Sequence, residues 1–462
     1  MRGFIFTFFI LFFILSLRFF LFYQNQPVYK DGQEISLRTI LLSEPKQLGT
    51  YQRITARLSK GDRIFITAPA YPKFQYGQTL QIDGRLRIKE VDHGHIYTMS
   101  YPKLSLQKSS NVFVSAVAPI RSRILWLFHT TLSQPEASLL IGIVFGISET
   151  MPKEFSSVLQ QSGVLHVIAA SGMNVTIIGS FLAGLFGRIF RRQYALVMTI
   201  GGIVFYAGLA GFSASIVRAS IMGVLVFSAQ ILGRQTLALY GLMLAGFLML
   251  FFQPFLLFDT GFALSFMATW GLIVFNPLVQ RVTKREGRVY DLIAKTDFST
   301  TFIAQIATLP ILLGTFGSYS PVSIIVNFLV LWTIPVLMII GGMGTLVGLI
   351  LPVLGQWILY LSLPFLYFFE GIVWFFGSLP VNFTIENLPW PIVAGYYLLL
   401  LAFLLSSRAK PSTVRYLAKR GDLGSEIVPL RASSTSSQID TPLNDNNFYH
   451  QSIYISIKNR LR

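Results

Sequence analysis

Three short runs set polar and ionisable side chains into otherwise apolar sequence. The first, Ser162–Asn174, holds His166, Ser171, Gly172 and Asn174. The second, Gly211–Ser220, holds Ser213 and Arg218. The third, Phe258–Phe266, holds Asp259 and Ser265. A charge inside hydrocarbon costs about 3 kcal/mol or more when left alone, so Arg218 needs a partner or a watered path to line. Asp259 can answer in two ways, by pairing with Arg218 or by capping the helix that follows it. His166 and Asn174 stand between two Ser-Gly pairs, where backbones can approach closely. Ordinary small-residue helix packing accounts for the same pattern.

These side chains suit passage better than catalysis. The sequence has no G-x-x-x-x-G-K-[ST] loop, no H-E-x-x-H and no zinc-type ligand spacing, so those routes to nucleotide or peptide hydrolysis are not expected. His166 and Ser171 are five residues apart and would not share one helical face. His93-Gly94-His95 reads as an exposed loop rather than a metal site. Cysteine is absent, which excludes disulfides, thiolate metal sites and cysteine nucleophiles. No catalytic residue, bound metal or cofactor is therefore expected.

The elements that must hold these runs are membrane helices. Of 462 residues, 53% are hydrophobic and 12% charged, about half the charged fraction of a soluble domain. A crossing needs about 20 apolar residues, and only helices or closed barrels satisfy the backbone there. Residues 1–23 read as an uncleaved anchor, with Arg18 near its far end. Residues 24–115 change to short alternating segments broken by Lys60-Gly61-Asp62, Tyr76-Gly77 and Asp83-Gly84, the pattern of a small OB-like β domain of five or so strands. Residues 119–133 suggest an amphipathic helix, and 137–147 an apolar piece too short to cross. Nine further spans are expected at about 165–187, 193–210, 213–232, 237–252, 262–278, 299–316, 322–350, 354–378 and 390–406. The run 322–350 is long, carries Gly341, Gly342 and Gly344, and is a candidate for a break. The fold class is thus a polytopic α-helical membrane protein of about ten spans with a small N-terminal all-β domain. Its domains are 1–23, 24–115, 116–406 and a polar tail, 407–462, expected to be largely disordered with a membrane-surface stretch at its end.

Topology explains most of the net charge of +17. Arg188, Arg191 and Arg192 fall in one loop, Arg234 in the next but one, and Arg281, Lys284, Arg285, Arg288 and Lys295 in the next alternate loop. The opposing loops near 211–212, 253–261, 317–321 and 379–389 have neither Lys nor Arg. That alternation places both termini in the cytoplasm and the β domain outside.

Gly163–Val175, Gly211–Met222 and Pro254–Phe266 together resemble the motifs of the ComEC family of competence proteins, which read roughly G-x-x-H-x-x-x-x-S-G-x-H-V, G-F-x-x-S-x-x-R-A-x-x-M and P-x-x-x-x-D-x-G-F-x-L-S-F. Thr308-Leu309-Pro310 and Ser320-Pro321 with Asn327 are similar to the family too. The resemblance covers about 120–400, and more loosely the β segment. It departs at Asn174, where the family has a second His, and at Ala263, where it has Gln. Many members carry a C-terminal metallo-β-lactamase-like domain, and no H-x-H-x-D-H signature occurs in this sequence. A nuclease is then expected to come from a separate protein, or to be missing.

The resemblance implies an inner-membrane channel for single-stranded DNA in natural transformation. Its expected path residues are His166, Ser171, Gly172, Asn174, Ser213, Arg218, Asp259 and Ser265. In the β domain Tyr51, Arg53, Arg57, Tyr76, Arg85 and Arg87 are candidates to stack bases and meet phosphates. A DNA receptor, a cytoplasmic ATPase and a homo-oligomeric partner are further expected associates, beside the lipid bilayer. The competing expectation is a transporter or scaffold of the same fold that serves a substrate other than DNA.

Overall fold

A computed structural model describes residues 2–24, 27, 29–58, 61–91, 94–107, 111–168, 171–234, 238–283, 294–316, 318–379, 383–384 and 389–409. The tail from residue 410, the basic residues Lys284, Arg285 and Arg288, and His93 lie outside the described residues. The chain divides into two units, 1–400 and 401–462.

Helix α1 (Arg2–Gln24) leads into the sheet domain. Eight strands follow: β1 (Glu34–Ile40), β2 (Lys46–Leu48), β3 (Tyr51–Arg57), β4 (Arg63–Pro69), β5 (Thr79–Arg85), β6 (Arg87–Val91), β7 (Gly94–Ser100) and β8 (Lys103–Gln107). They form two sheets, ordered β1-β5-β8 and β2-β3-β4-β7-β6. The pairings are antiparallel except β4 with β7, which is parallel. Period-two alternation builds the core: Gln52, Ile54 and Ala56 of β3 point inward while Arg53, Thr55 and Arg57 point out. Ile64, Ile66, Leu80 and Ile82 are fully buried with them. The strand count exceeds the expected five because long strands are interrupted. Leu86 alone separates β5 from β6, and Tyr101, held at a left-handed φ of 50°, turns the chain between β7 and β8.

The rest is helical: α2 (Val112–Thr131), α3 (Glu136–Phe145), α4 (Lys153–Gln161), α5 (Leu165–Ile168), α6 (Gly172–Ile189), α7 (Arg192–Leu209), α8 (Ala214–Ile231), α9 (Ala238–Phe252), α10 (Thr260–Thr283), α11 (Ala294–Phe316), α12 (Ser323–Val330), α13 (Thr333–Ile350), α14 (Pro352–Tyr360), α15 (Leu363–Gly377) and α16 (Trp390–Ala409). A two-residue ladder, β9 (Ser318–Tyr319) with β10 (Phe383–Thr384), joins the segments after α11 and before α16. Among the described residues four stretches are long and apolar enough to cross a membrane: 112–131, 165–189, 214–231 and 333–350. Counting α14 and α15, bent by 45°, as one crossing makes five. This is a membrane protein.

Two local expectations shift, and one helix is new. The amphipathic stretch at 119–133 belongs to the longer α2, whose Ile124, Leu127 and Phe128 pack into the main core with α3 and α13. The break in 322–350 falls at Leu331–Trp332, not at the glycines. Two of those glycines serve packing: a Cβ on Gly341 would lie 2.6 Å from Val144, and one on Gly344 would lie 2.7 Å from Leu359, whereas Gly342 faces open space. Helix α4, with Phe155, Val158 and Leu159 buried on one face, had no sequence expectation.

Candidate functional site

The three polar runs meet around Arg218. Ala214–Ile231 is helical and carries Arg218 near its start, 6% exposed. Its Nη1 donates to the carbonyl of Ser265 at 2.5 Å. Its Nη2 lies where a side chain on Gly172 would crowd it, 3.1 Å from the position of a Cβ. The Arg of the second run thus ties the Gly of the first to the Ser of the third. Its Nε is buried without a hydrogen-bond partner. The main-chain carbonyl of Ser265 is a neutral acceptor, so the positive charge of Arg218 is not neutralised by that bond.

These groups face a cavity of about 1940 Å³. His166, Ser171, Gly172, Arg218, Asp259 and Ser265 all line it. Gly163, at φ +76°, lets the first run abut the start of α12, where a Cβ would lie 2.3 Å from Ser323. Opposite Arg218's helix the wall is neutral and polar, with Gln305, Ser323 and Asn327. Gln305 donates to Ser323 at 3.0 Å. Asn327 is fully buried, and neither amide atom has a partner. A buried amide left unsatisfied costs about 1–3 kcal/mol, so Asn327 carries unspent hydrogen-bonding capacity beside the cavity.

Two expected path residues are elsewhere. Asn174 is 1% exposed and points away from the cavity, donating to the Ile143 carbonyl at 2.7 Å and accepting from Ser171 at 3.2 Å. It is a structural tie between α6 and α3. Ser213 is exposed ahead of α8 and does not line the cavity, whereas Ser215 does. The proposed Arg218–Asp259 pair is also corrected. Asp259 caps α10, accepting from the Phe262 N–H at 3.1 Å, and pairs with Arg63 at 3.1 Å and Arg57 at 3.7 Å.

The β-domain candidates divide likewise. Tyr76 is no stacking platform: it is 3% exposed, its hydroxyl donates to Gly208 at 2.8 Å, and burial raises its pKa. Arg57 is taken up by Asp259 and lies 4.8 Å from the centre of the Phe255 ring; burial lowers its pKa, against the opposing pull of Asp259. Arg85 pairs with Glu34 at the surface, at 3.0 Å. Tyr51, Arg53 and Arg87 share one outward sheet face. The register runs Lys46–Arg53–Thr67 and Thr55–Phe65–Thr98–Arg87, with Lys89 two residues beyond. That face carries Lys46, Arg53, Arg57, Arg63, Arg87 and Lys89, with no acidic residue among these partners. Sequence reading passed over Lys46, Arg63 and Lys89, although strand alternation from Arg87 would have placed Lys89. It also passed over Gln305, which ordinary hydropathy hides inside α11.

Fold and site together define a helical membrane protein that encloses a large, mostly apolar cavity set with a few polar groups, beside a small, basic β domain. The chain belongs to the competence protein family of the ComEC type: the family model for "Competence protein" matches residues 143–410, more than half of its length. It is 27% identical over 241 residues to ComE operon protein 3 of Bacillus subtilis, covering 51% of this chain and 30% of that protein. An uncharacterized protein of Aquifex aeolicus is 31% identical over 132 residues, 28% of this chain and 31% of its own. Uncharacterized protein YcaI of Escherichia coli is 28% identical over 189 residues, 35% and 24% respectively. The chain therefore spans about a third or less of these curated relatives' lengths. No solved structure matches it.

Proposed function

We propose that this chain is the membrane channel through which single-stranded DNA enters during natural transformation. The observation that carries the reading is the cavity of about 1940 Å³, which gathers the family's polar runs and extends to Arg57 and Arg63 of the basic sheet face. A sequence-neutral path for a polyanion needs cations at its entry and hydrogen-bonding groups inside. Here the basic face offers Lys46, Arg53 and Arg87 to phosphates and Tyr51 to bases, and the cavity offers Arg218, Gln305 and Asn327.

An OB-like barrel is supported by the strand pairing. With β1 and β2, β5 and β6, and β7 and β8 each taken as one interrupted strand, the order closes as a five-stranded barrel with one parallel pair. Strands β3 and β4 then correspond to the second and third strands, the face on which such barrels hold oligonucleotides. Crossing by all ten expected spans, with both termini cytoplasmic and the β domain outside, is supported by contacts at the side whose loops lack Lys and Arg. The sheet domain meets Gly208 through Tyr76 and Asp259 through Arg63, and β9 with β10 joins the other two. On this reading a separate nuclease, a DNA receptor and a cytoplasmic ATPase work with the channel, in a homo-oligomer or alone.

Deleting the gene and restoring it on a plasmid tests the function: transformation frequency falls to background and recovers. Unchanged transformation would favour a transporter of the same fold with another substrate. A reporter active only outside the cytoplasm works when fused near residue 110 and is silent after Arg408; the opposite pattern reverses the topology.

A further inference from the structure

At the cavity mouth, the β3–β4 hairpin meets the segment before α10 through the Asp259 carboxylate and the Phe255 ring. The two oxygens of Asp259 divide the work. Oδ1 accepts from the Phe262 N–H at 3.1 Å and caps α10. Oδ2 accepts from Arg63 Nη2 at 3.1 Å and lies 3.7 Å from Arg57 Nη2. Phe255 fixes the hairpin's place, packing under the Arg57 guanidinium and against Gly61, where a Cβ would lie 2.2 Å from the ring. The arginine side chains are 43% and 59% exposed, the Asp259 side chain only 12%. Arg57, Asp62, Arg63 and Asp259 all line the cavity. One shielded carboxylate therefore answers two solvent-reachable guanidinium forks.

We propose that Arg57 and Arg63 form a phosphodiester-binding site at the cavity mouth, and that Asp259 occupies it as an internal anion that an incoming strand displaces. The inference rests on the DNA reading above for the identity of the ligand, but not for the exchange itself. A phosphate presents the same planar acceptor pair to an Arg fork as a carboxylate does, and each further phosphate adds charge that Asp259 cannot match. The exchange leaves the guanidiniums paired, and Asp259 keeps its cap through Oδ1. The hairpin thereby loses its ionic tie to Asp259 and is held there by Phe255, without unravelling the helix. A neutral or singly charged solute gains nothing over Asp259 and leaves the hairpin in place.

Asp259→Asn separates the two tasks, because Asn caps a helix as well as Asp does while removing the charge. The probes are a fluorescent oligodeoxythymidylate and inorganic tripolyphosphate, applied to the full-length protein in nanodiscs at low salt. Asp259→Asn is expected to tighten binding of both by on the order of tenfold. Adding Arg57→Gln and Arg63→Gln to it is expected to remove the gain. Binding unchanged by Asp259→Asn, or a gain that survives both Gln substitutions, overturns the proposal. If neither protein binds the oligonucleotide but the gain for tripolyphosphate remains, the exchange stands and the DNA reading fails. A second measurement needs no change at Asp259. The chain has no cysteine, so Asp62→Cys gives a single thiol at the mouth. Its maleimide labelling should speed up several-fold with tripolyphosphate; an unchanged rate also overturns the proposal.

Discussion

Among the described residues two arginines are buried, and they are held in opposite ways. Arg121, on α2 under the sheet domain, is 3% exposed. Its Nε meets Glu44 at 3.3 Å, its Nη1 donates to the Leu209 carbonyl at 2.6 Å, and its guanidinium lies 4.2 Å from the centre of the Tyr76 ring. Arg218, on α8 beside the cavity, is 6% exposed and has one neutral acceptor and a free Nε. A buried charge with its own carboxylate is part of the scaffold, joining the sheet domain to α7. A buried charge left half-answered beside a cavity is available to something that passes. Burial does not distinguish the two arginines; unspent hydrogen-bonding capacity does.

The contrast can be broken first at Arg121. Arg121→Ala leaves Glu44 without its partner, and breaking such a pair costs about 3–5 kcal/mol. The folded yield in detergent should collapse, and Arg121→Met with Glu44→Gln should recover much of it. A stable Arg121→Ala protein would erase the distinction. Next, Arg218→Gln should cost only about 1 kcal/mol, the worth of one hydrogen bond, leaving membrane-inserted protein at normal level while transformation falls at least tenfold. Arg218→Lys should restore part of it, keeping the charge but not the fork. Normal transformation by Arg218→Gln would remove Arg218 from the path. Asn174→Ala sits between the two arginines in kind. It is a satisfied polar tie, so about 1–2 kcal/mol should be lost from thermal stability with transformation reduced only in proportion to protein level. The smallest effect is expected at Arg53 and Arg87. Each change to Gln should lower the log–log salt slope of single-strand binding by about 0.7 without altering stability; an unchanged slope takes that residue off the strand.

The apolar runs and the three motif clusters were legible because length and hydropathy are local properties. Every expected span is helical over most of its length. Six of the eight expected path residues line one cavity because the motifs mark helix ends that converge. What failed depended on partners distant in sequence. Tyr76 looked like a surface aromatic after a turn, but its hydroxyl finds a carbonyl 132 residues away. Arg218 found a main-chain acceptor, and any residue type supplies one, so the sequence nominated Asp259 instead. Ser213 and Ser215 differ by 200° around a helix, and only the true start of α8 decides which faces inward. The break near Trp332 followed packing around α12, not the glycines that seemed to invite it.

Gly348 and Gly355 flank the short turn from α13 to α14, and a Cβ on Gly355 would lie 2.3 Å from the Gly348 Cα. The two backbones touch with no side chain between them to act as a bearing. Sliding one helix along the other would drive main chain into main chain, so the hairpin behaves mechanically as a single post. The next change of direction along the chain is the 45° bend between α14 and α15. A strut welded at one end and jointed at the other can swing but cannot telescope.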